Sequence, residues 1–507
     1  MNERMNATSF SAGLKTSAAA LTLLVAASVA RSENGVTNQT KSLTLHECIE
    51  RALANNLEIK FERINPDIQS WGVVGAQSVY DPTFTGTVNY LDETTPLDPE
   101  QATALGLLSL NQQLLDSSVS LGGKLPTGAT YDFFGFNSRS SGQLTTNFVF
   151  TGDAGIALTQ PILKNFGLGI NSASIRIARK NKAIAQQNFV QLVMNKIASV
   201  CTAYYELIFA IEDHKAKVQT LDEAKELLEQ TRKRAQIGTQ SPLDVIQAEA
   251  GVAENEQAVI TSAQLIKDNE NTLKRLISQQ ITEFRGVTLV PTDFPVAELM
   301  DLDVTQSIRT ALELRPDYAS AKEALERQNI AVQFNRNQLW PEIDLQGSYA
   351  ANGRGITFSD FSDNVTSGDN PTWSVGVVVT IPLGNRQARA NYNIAKLDAD
   401  QALLTLKALE QDIIVQVDNA VGHVGSSAKS VEAARAASRL AEASLDAEKK
   451  KLLAGTSTTF LVLQAQSQLG SARSAEVRAR ASYSQSLVAL DLAEGTILQK
   501  NNITLAE

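Results

Sequence analysis

Cysteine is nearly missing. Cys48 and Cys201 are the only two in 507 residues, too few for a disulfide framework or a metal cluster. Both fall in helical patterns, where a small buried side chain is the expected role. Histidine is as scarce, with His46, His214 and His423 scattered along the chain. No nucleophile triad, metal-ligand spacing or phosphate loop is found, so neither an enzyme nor a cofactor is expected. The formal charge of −10 comes from interspersed signs and argues against a nucleic-acid partner. Long apolar runs are lacking too. Ala18–Val29 is about 12 residues, against the ~20 a helix needs to span a bilayer. Arg4 and Lys15 precede that run, and Ser28-Val29-Ala30 ends it with small residues. Residues 1–30 are therefore expected to be a secretory signal peptide, and no cysteine follows to carry a lipid anchor. If the mature chain spans a membrane, it must do so with strands.

Glycine and proline are absent where it matters most. From Ser172 to Ile237 there is neither, which predicts a helix of about 100 Å at ~1.5 Å per residue. Val193, Ile197, Val200, Tyr204, Leu207, Ile211, His214, Val218 and Leu221 recur in steps of four and three. That is a heptad seam, coiled against neighbouring helices. His214 sits in the seam as a core residue. The run stops at Gly238-Thr239-Gln240-Ser241-Pro242-Leu243-Asp244-Val245. Gly238 suits a left-handed helix end, Ser241 can cap, and Pro242 fits a first helical position.

The remaining chain reads as a tandem duplication. Residues 31–281 form the first repeat. A polar leader (31–42) precedes a capping box at Thr44 and Glu47 that opens a short helix, and a second helix runs from Leu57 to Val79. Alternating strands follow over about 82–160, with loops at 91–111 and 138–142, then the long helix 172–237 and a helix over 242–281. After a connection (282–303), residues 304–495 repeat the order: helices, strands over about 342–382 with a loop at 352–371, a long helix 386–454 and a helix 457–495. A tail (496–507) ends the chain. The echoes are local. Ser307-Ile308-Arg309-Thr310-Ala311-Leu312 matches Cys48-Ile49-Glu50-Arg51-Ala52-Leu53, and Gly455-Thr456 matches Gly238-Thr239. Pro82, Pro161, Pro341 and Pro382 mark the four crossings between helix and strand.

The strands alternate apolar with polar over about 9–11 residues, as transmembrane strands do. A soluble sandwich has the same alternation. The leader and the long helices favour the membrane. One chain supplies four to six strands where a barrel needs at least eight, so several chains must join.

With these motifs in order, the chain resembles the TolC family of outer-membrane channels. The carriers are Leu43-Thr44-Leu45-His46-Glu47 with Ala52-Leu53-Ala54-Asn55-Asn56, Leu158-Thr159-Gln160-Pro161, and both Gly-Thr turns. The resemblance implies an α+β membrane protein. Tandem-duplicated long coiled helices form a trimeric helical barrel, continuous with a shared transmembrane antiparallel β-barrel. It implies a homotrimer in the outer membrane with a tunnel extending into the periplasm. The duct would be passive, docked to a periplasmic adaptor and an inner-membrane transporter, for efflux or type I secretion. A non-channel coiled-coil spacer or adhesin with a membrane-tethering barrel is the alternative. By the same resemblance the tips (Gly238, Thr239, Ser241, Leu243, Asp244, Val245, Gly455 and Thr456) meet the adaptor. Leu461 and Gln464 stand where the family has acidic gate rings, and Ser457 where a basic tether stands. A ring of leucines can close by dewetting; Leu461 as an ordinary packing residue is the other reading. The family's usual barrel takes two strands from each half. The segment Leu115–Phe136, with its turn at Pro126-Thr127-Gly128, either adds a hairpin to the wall, for about eighteen strands, or lies outside it.

Overall fold

The computed structural model describes residues 39–142, 147–293 and 302–504, so the expected leader over residues 1–30 lies outside the described residues. Two compact units divide the chain. Among the described residues, one draws on 39–57, 196–293 and 422–490, the other on 58–142, 147–195, 302–421 and 491–504. The long helices α5 (Ala173–Gln236) and α10 (Arg386–Leu453) contribute to both.

In the first unit, β1 (Gln39–Leu43) pairs in parallel with β6 (Val287–Pro291). This corrects two expectations, since residues 31–42 read as a polar leader and 282–303 as a plain connection. Each strand is five residues long, and they pair in parallel from opposite ends of the repeat, with no turn to signal them. The capping box forms as the sequence spells it: Glu47 N–H donates to Thr44 Oγ1 at 3.2 Å and Thr44 N–H to Glu47 Oε2 at 3.0 Å. It opens α1 (Leu45–Asn55). The seam residues Ile197, Val200, Tyr204 and Leu207 of α5 are fully buried. His214 Nδ1 lies 2.8 Å from Ser262 Oγ of α6 (Pro242–Ile277), as a packed histidine would.

Tyr204 ties this unit together. Its hydroxyl donates to Leu43 O and accepts from the backbone N–H groups of Thr292 and Asp293, each at 3.1 Å. Burial raises its pKa, and burial pushes the nearby Cys48 thiol up to about 12, so neither ionises near neutrality. Thr292 N–H also donates to Leu43 O at 3.2 Å, so losing the hydroxyl leaves only Asp293 N–H without its partner. We therefore expect Tyr204→Phe to lower stability by roughly 1 kcal/mol, read as a lower urea midpoint. An unchanged midpoint would mean that water replaces the hydroxyl.

In the second unit the repeat is visible in backbone detail. The helix α7 (Val304–Leu314) copies α1: both have 11 residues, and the C-cap N–H of each returns to the alanine four residues back, Ala311 or Ala52. Arg315 follows α7 and begins α8 (Pro316–Asn337). Its buried guanidinium donates to Asp317 at 2.6 and 3.0 Å, to Gln416 Oε1 at 3.0 Å and to Ala493 O at 3.2 Å. With α2 (Leu57–Gln77) leading in, six strands form one antiparallel sheet: β2 (Thr83–Pro96), β3 (Ser109–Lys124), β4 (Thr130–Gly142), β5 (Val149–Pro161), β7 (Glu342–Gly355) and β8 (Pro371–Thr380), in that spatial order.

Three expected loops are largely strand and helix, and residues 138–142 are simply the outer end of β4. Residues 91–111 hold the outer ends of β2 and β3 around α3 (Pro99–Leu105). Residues 352–371 hold the end of β7 and α9 (Phe358–Ser367). The strands outrun their own hydrophobic alternation: Thr94, Thr95, Gln112 and Gln113 still pair across the ladder although neither face is apolar there. Thr357 accepts from Asp360 N–H at 3.2 Å and starts α9 as its N-cap.

Candidate functional site

Two places in the chain carry candidate function, one in each unit. In the second unit the site is the face of the sheet. Following the register across all six strands, Phe84, Leu121, Phe133, Ile156, Tyr349 and Trp373 stand in a single row. All six are large, apolar and exposed. The next rows toward the helices add Tyr131, Leu158 and Val375, then Leu345 and Val377. Side chains alternate across a strand, so the other face takes Thr85, Ser120, Gly155 and Thr372, and Thr83, Asp132, Ser348 and Ser374. Large apolar residues on that otherwise polar face include Phe134, Phe136, Leu91, Leu114 and Val378. A sheet apolar on one side and polar on the other, with the apolar side uncovered, is built for lipid outside and water inside.

Pro82 directly precedes β2 and Pro161 ends β5; Pro341 precedes β7 and Pro382 comes two residues after β8. All four lie at strand ends, where the missing N–H costs no ladder bond. The crossing after β5 is fastened by asparagines. Asn165, at φ 61°, donates its N–H to Asn337 Oδ1 at 2.7 Å, and Asn171 Nδ2 donates to Asn165 O at 2.7 Å. Gly128, in the turn from β3 to β4, packs into the same knot. A Cβ there would fall 2.3 Å from Asn165 O.

In the first unit the site is the pair of helix ends. The two Gly-Thr turns have the same geometry, which the shared dipeptide predicted. Gly238 and Gly455 have φ of 75° and 76°. Thr239 N–H donates to Arg234 O, and Thr456 N–H to Lys451 O, both at 2.9 Å. This is the Schellman closure that glycine permits. Ser241 and Asp244 form a capping box at the start of α6, and Leu243 is exposed while Val245 is half-buried.

The second tip is different. Ser457 Oγ donates to Glu448 Oε2 at 2.7 Å, and Lys451 pairs with Glu448 Oε1 at 2.7 Å. Lys451 first, and then Ser457, hold the Glu448 carboxyl below the usual glutamate range. Arg234 Nη1 reaches Leu452 O at 3.2 Å and Gln240 Nε2 reaches Thr459 Oγ1 at 3.0 Å, so the two tips are tied to each other. Sequence reasoning missed these ties, because the residue types involved name no partner. In α11 (Thr459–Glu494), Val462 is the buried packing residue, with Leu227, Leu445, Leu452 and Leu469. Leu461 is 43% exposed, with Phe460 and Gln464 also exposed.

The chain was compared with known proteins. The outer membrane efflux protein family model matches residues 128–279 and 307–496, about two-thirds of the chain in two blocks that fall one in each repeat. Outer membrane efflux protein BepC of Brucella suis is 24% identical over 459 residues, 90% of this chain and 86% of its own length. Among solved structures, the CmeC outer membrane channel of Campylobacter jejuni superposes with a TM-score of 0.64 at 19% identity, covering 89% of this chain and 85% of that one. The outer membrane protein VceC of Vibrio cholerae gives 0.65 at 17%, covering 89% and 96%. The fold is therefore that of these channels: long helices with an antiparallel sheet. The chain belongs to the outer membrane efflux protein family.

Proposed function

We propose that this chain forms a homotrimeric, passive exit duct in the outer membrane, with a helical tunnel in the periplasm that docks to an adaptor and an inner-membrane transporter. The observation that carries the reading is the pair of sheet edges. β2 and β8 are exposed along their whole length and pair on one side only. A long free edge beside an apolar face is a template for another strand. Here the occupant that completes it is β8 of a neighbouring copy against β2, closing a barrel without edges. Outer-membrane lipid then covers the row from Phe84 to Trp373. Single-channel recording on the purified oligomer is the test. A stable trimer that carries no current would favour a spacer or adhesin.

The gate lies at the second tip. Exposed Leu461 from three copies converges to close the aperture by apolar contact and dewetting, with Gln464 beside it and Ser457 tethered by Glu448 within each chain. No acidic ring forms at these positions, so closure is insensitive to divalent cations. Leu461→Ser is expected to raise closed-state conductance about tenfold, because wetting a constriction removes a barrier of about 1.4 kcal/mol or more. An unchanged closed state in planar bilayers would remove Leu461 from the gate. The adaptor meets the tip residues Gly238, Thr239, Ser241, Leu243, Asp244 and Val245 of one turn, and Gly455 and Thr456 of the other.

A further inference from the structure

The hairpin β3–β4 is the least expected part of the sheet. We infer that it is a structural wall of the barrel that sets the exit width, giving about eighteen strands and admitting bulkier cargo than a four-strand copy would. The inference rests on the proposed trimeric closure and deepens it.

Four observations converge. First, the hairpin lies between β2 and β5 and separates them completely: the ladder runs unbroken from Thr83↔Gly122 to Pro96↔Ser109, through β3–β4, to Thr130↔Thr159. A hairpin lying outside the wall would leave β2 paired to β5. Second, Leu121 and Phe133 carry the apolar row through the hairpin at the same level as Phe84 and Ile156. Third, Ser118, Ser120, Asp132 and Ser138 continue the polar face on the opposite side, as a wall between lipid and water requires. Fourth, the inner turn is fixed. Gly167 N–H donates to Thr127 O at 3.0 Å, Thr127 Oγ1 donates to Gln160 Oε1 at 3.2 Å, and Gly128 fills the Asn165–Asn171 knot with no room for a Cβ. The hairpin is keyed to the strand-to-helix crossing instead of hanging free.

Geometry sets the consequence. Barrel diameter grows roughly linearly with strand number, so about eighteen strands make a pore about half again as wide as about twelve. At ~16–18 strands a barrel leaves an open aqueous channel. Because the insertion adds two strands, it leaves the directions of β2 and β5 unchanged. A copy without it would still be antiparallel throughout and could still close. The hairpin therefore alters width without altering topology.

The test uses the full-length channel in intact cells. Gln346→Cys places a thiol on the polar face, opposite Thr159 and near the inner end of β7. The native Cys48 and Cys201 are buried and do not compete. Maleimide-polyethylene glycols of graded size, added outside, reach that thiol only through the barrel mouth. We expect excision of residues 107–142 to lower the largest reactive polymer radius by about a third, with trimers retained. An equal cut-off in assembled excised trimers would overturn the inference. If the excised chain does not assemble, electron cryo-microscopy of the wild-type trimer decides: about eighteen strands supports the inference and about twelve overturns it. A wild-type protein that forms no trimer, or whose Gln346→Cys thiol reacts with no reagent from outside, would instead remove the exit-duct reading itself, and this inference with it.

Discussion

Trp71→Asp is expected to abolish the trimer. Trp71 is 74% exposed in the single chain, and it is not alone. Phe61, Ile64, Ile68 and Trp71 recur along α2 in steps of three and four, all exposed, so α2 presents a complete heptad seam with nothing against it. In the same unit, Ile394, Leu397 and Leu404 of α10 form a second exposed stripe. α2 leads into the edge strand β2, and α10 follows the edge strand β8. Whatever pairs the two edges also brings these two seams together, so strands and helices specify the same neighbour. A tryptophan buries about 150–250 Å², worth roughly 4–6 kcal/mol per interface at ~25 cal/mol/Å². An aspartate there adds the cost of desolvating a charge. Repeated at each interface of a closed ring, the loss exceeds what ordinary assembly tolerates. Native electrophoresis or mass photometry of the detergent-extracted protein reads the outcome, with Trp71→Phe as the control that keeps the trimer. A trimeric Trp71→Asp protein would mean that α2 faces lipid or solvent instead.

The α2 seam stands out only in the folded chain, because its meaning depends on what does not pack against it. The same logic governs what else could be read. Signals that act locally came through: the Thr44–Glu47 capping box, the paired Gly-Thr turns with φ near 75°, and the α5 seam buried at Ile197, Val200, Tyr204 and Leu207. Signals that depend on distant pairing did not. β1 and β6 are short parallel strands more than two hundred residues apart, and hydrophobic period cannot join them. The outer ends of β2, β3 and β7 lost their alternation once neither face was apolar, so ladder bonds continued where the pattern stopped. The hairpin Leu115–Phe136 was visible as alternation around Pro126-Thr127-Gly128. Its place between β2 and β5 required the register. At the tips the turns were legible, while the ties Ser457–Glu448, Arg234–Leu452 and Gln240–Thr459 join residues whose types alone predict no partner.

Gly238→Arg is expected to stop export while leaving trimers intact. The position separates the two effects because of what surrounds it. A Cβ added at Gly238 meets nothing within 4 Å, so a side chain there projects from the tip without disturbing the core of Leu227, Leu445, Leu452 and Leu469 beneath. The backbone penalty is confined to the left-handed φ of 75° and is about 1–2 kcal/mol. That is too little to unfold a tip also held by the Ser241–Asp244 capping box and by the tie from Gln240 to Thr459. What an arginine does change is the outer surface, where it adds bulk and charge beside exposed Leu243 and Ile237. Blocking a hot spot of ~2 kcal/mol or more weakens a contact about thirtyfold. Gly238→Asn is the control: asparagine tolerates positive φ and is small and uncharged, so it should keep both the turn and export. Adaptor co-purification and export are measured for both variants against wild type. Export retained with Gly238→Arg would show that this turn only ends a helix. Export lost with Asn as well would assign the effect to backbone strain rather than docking.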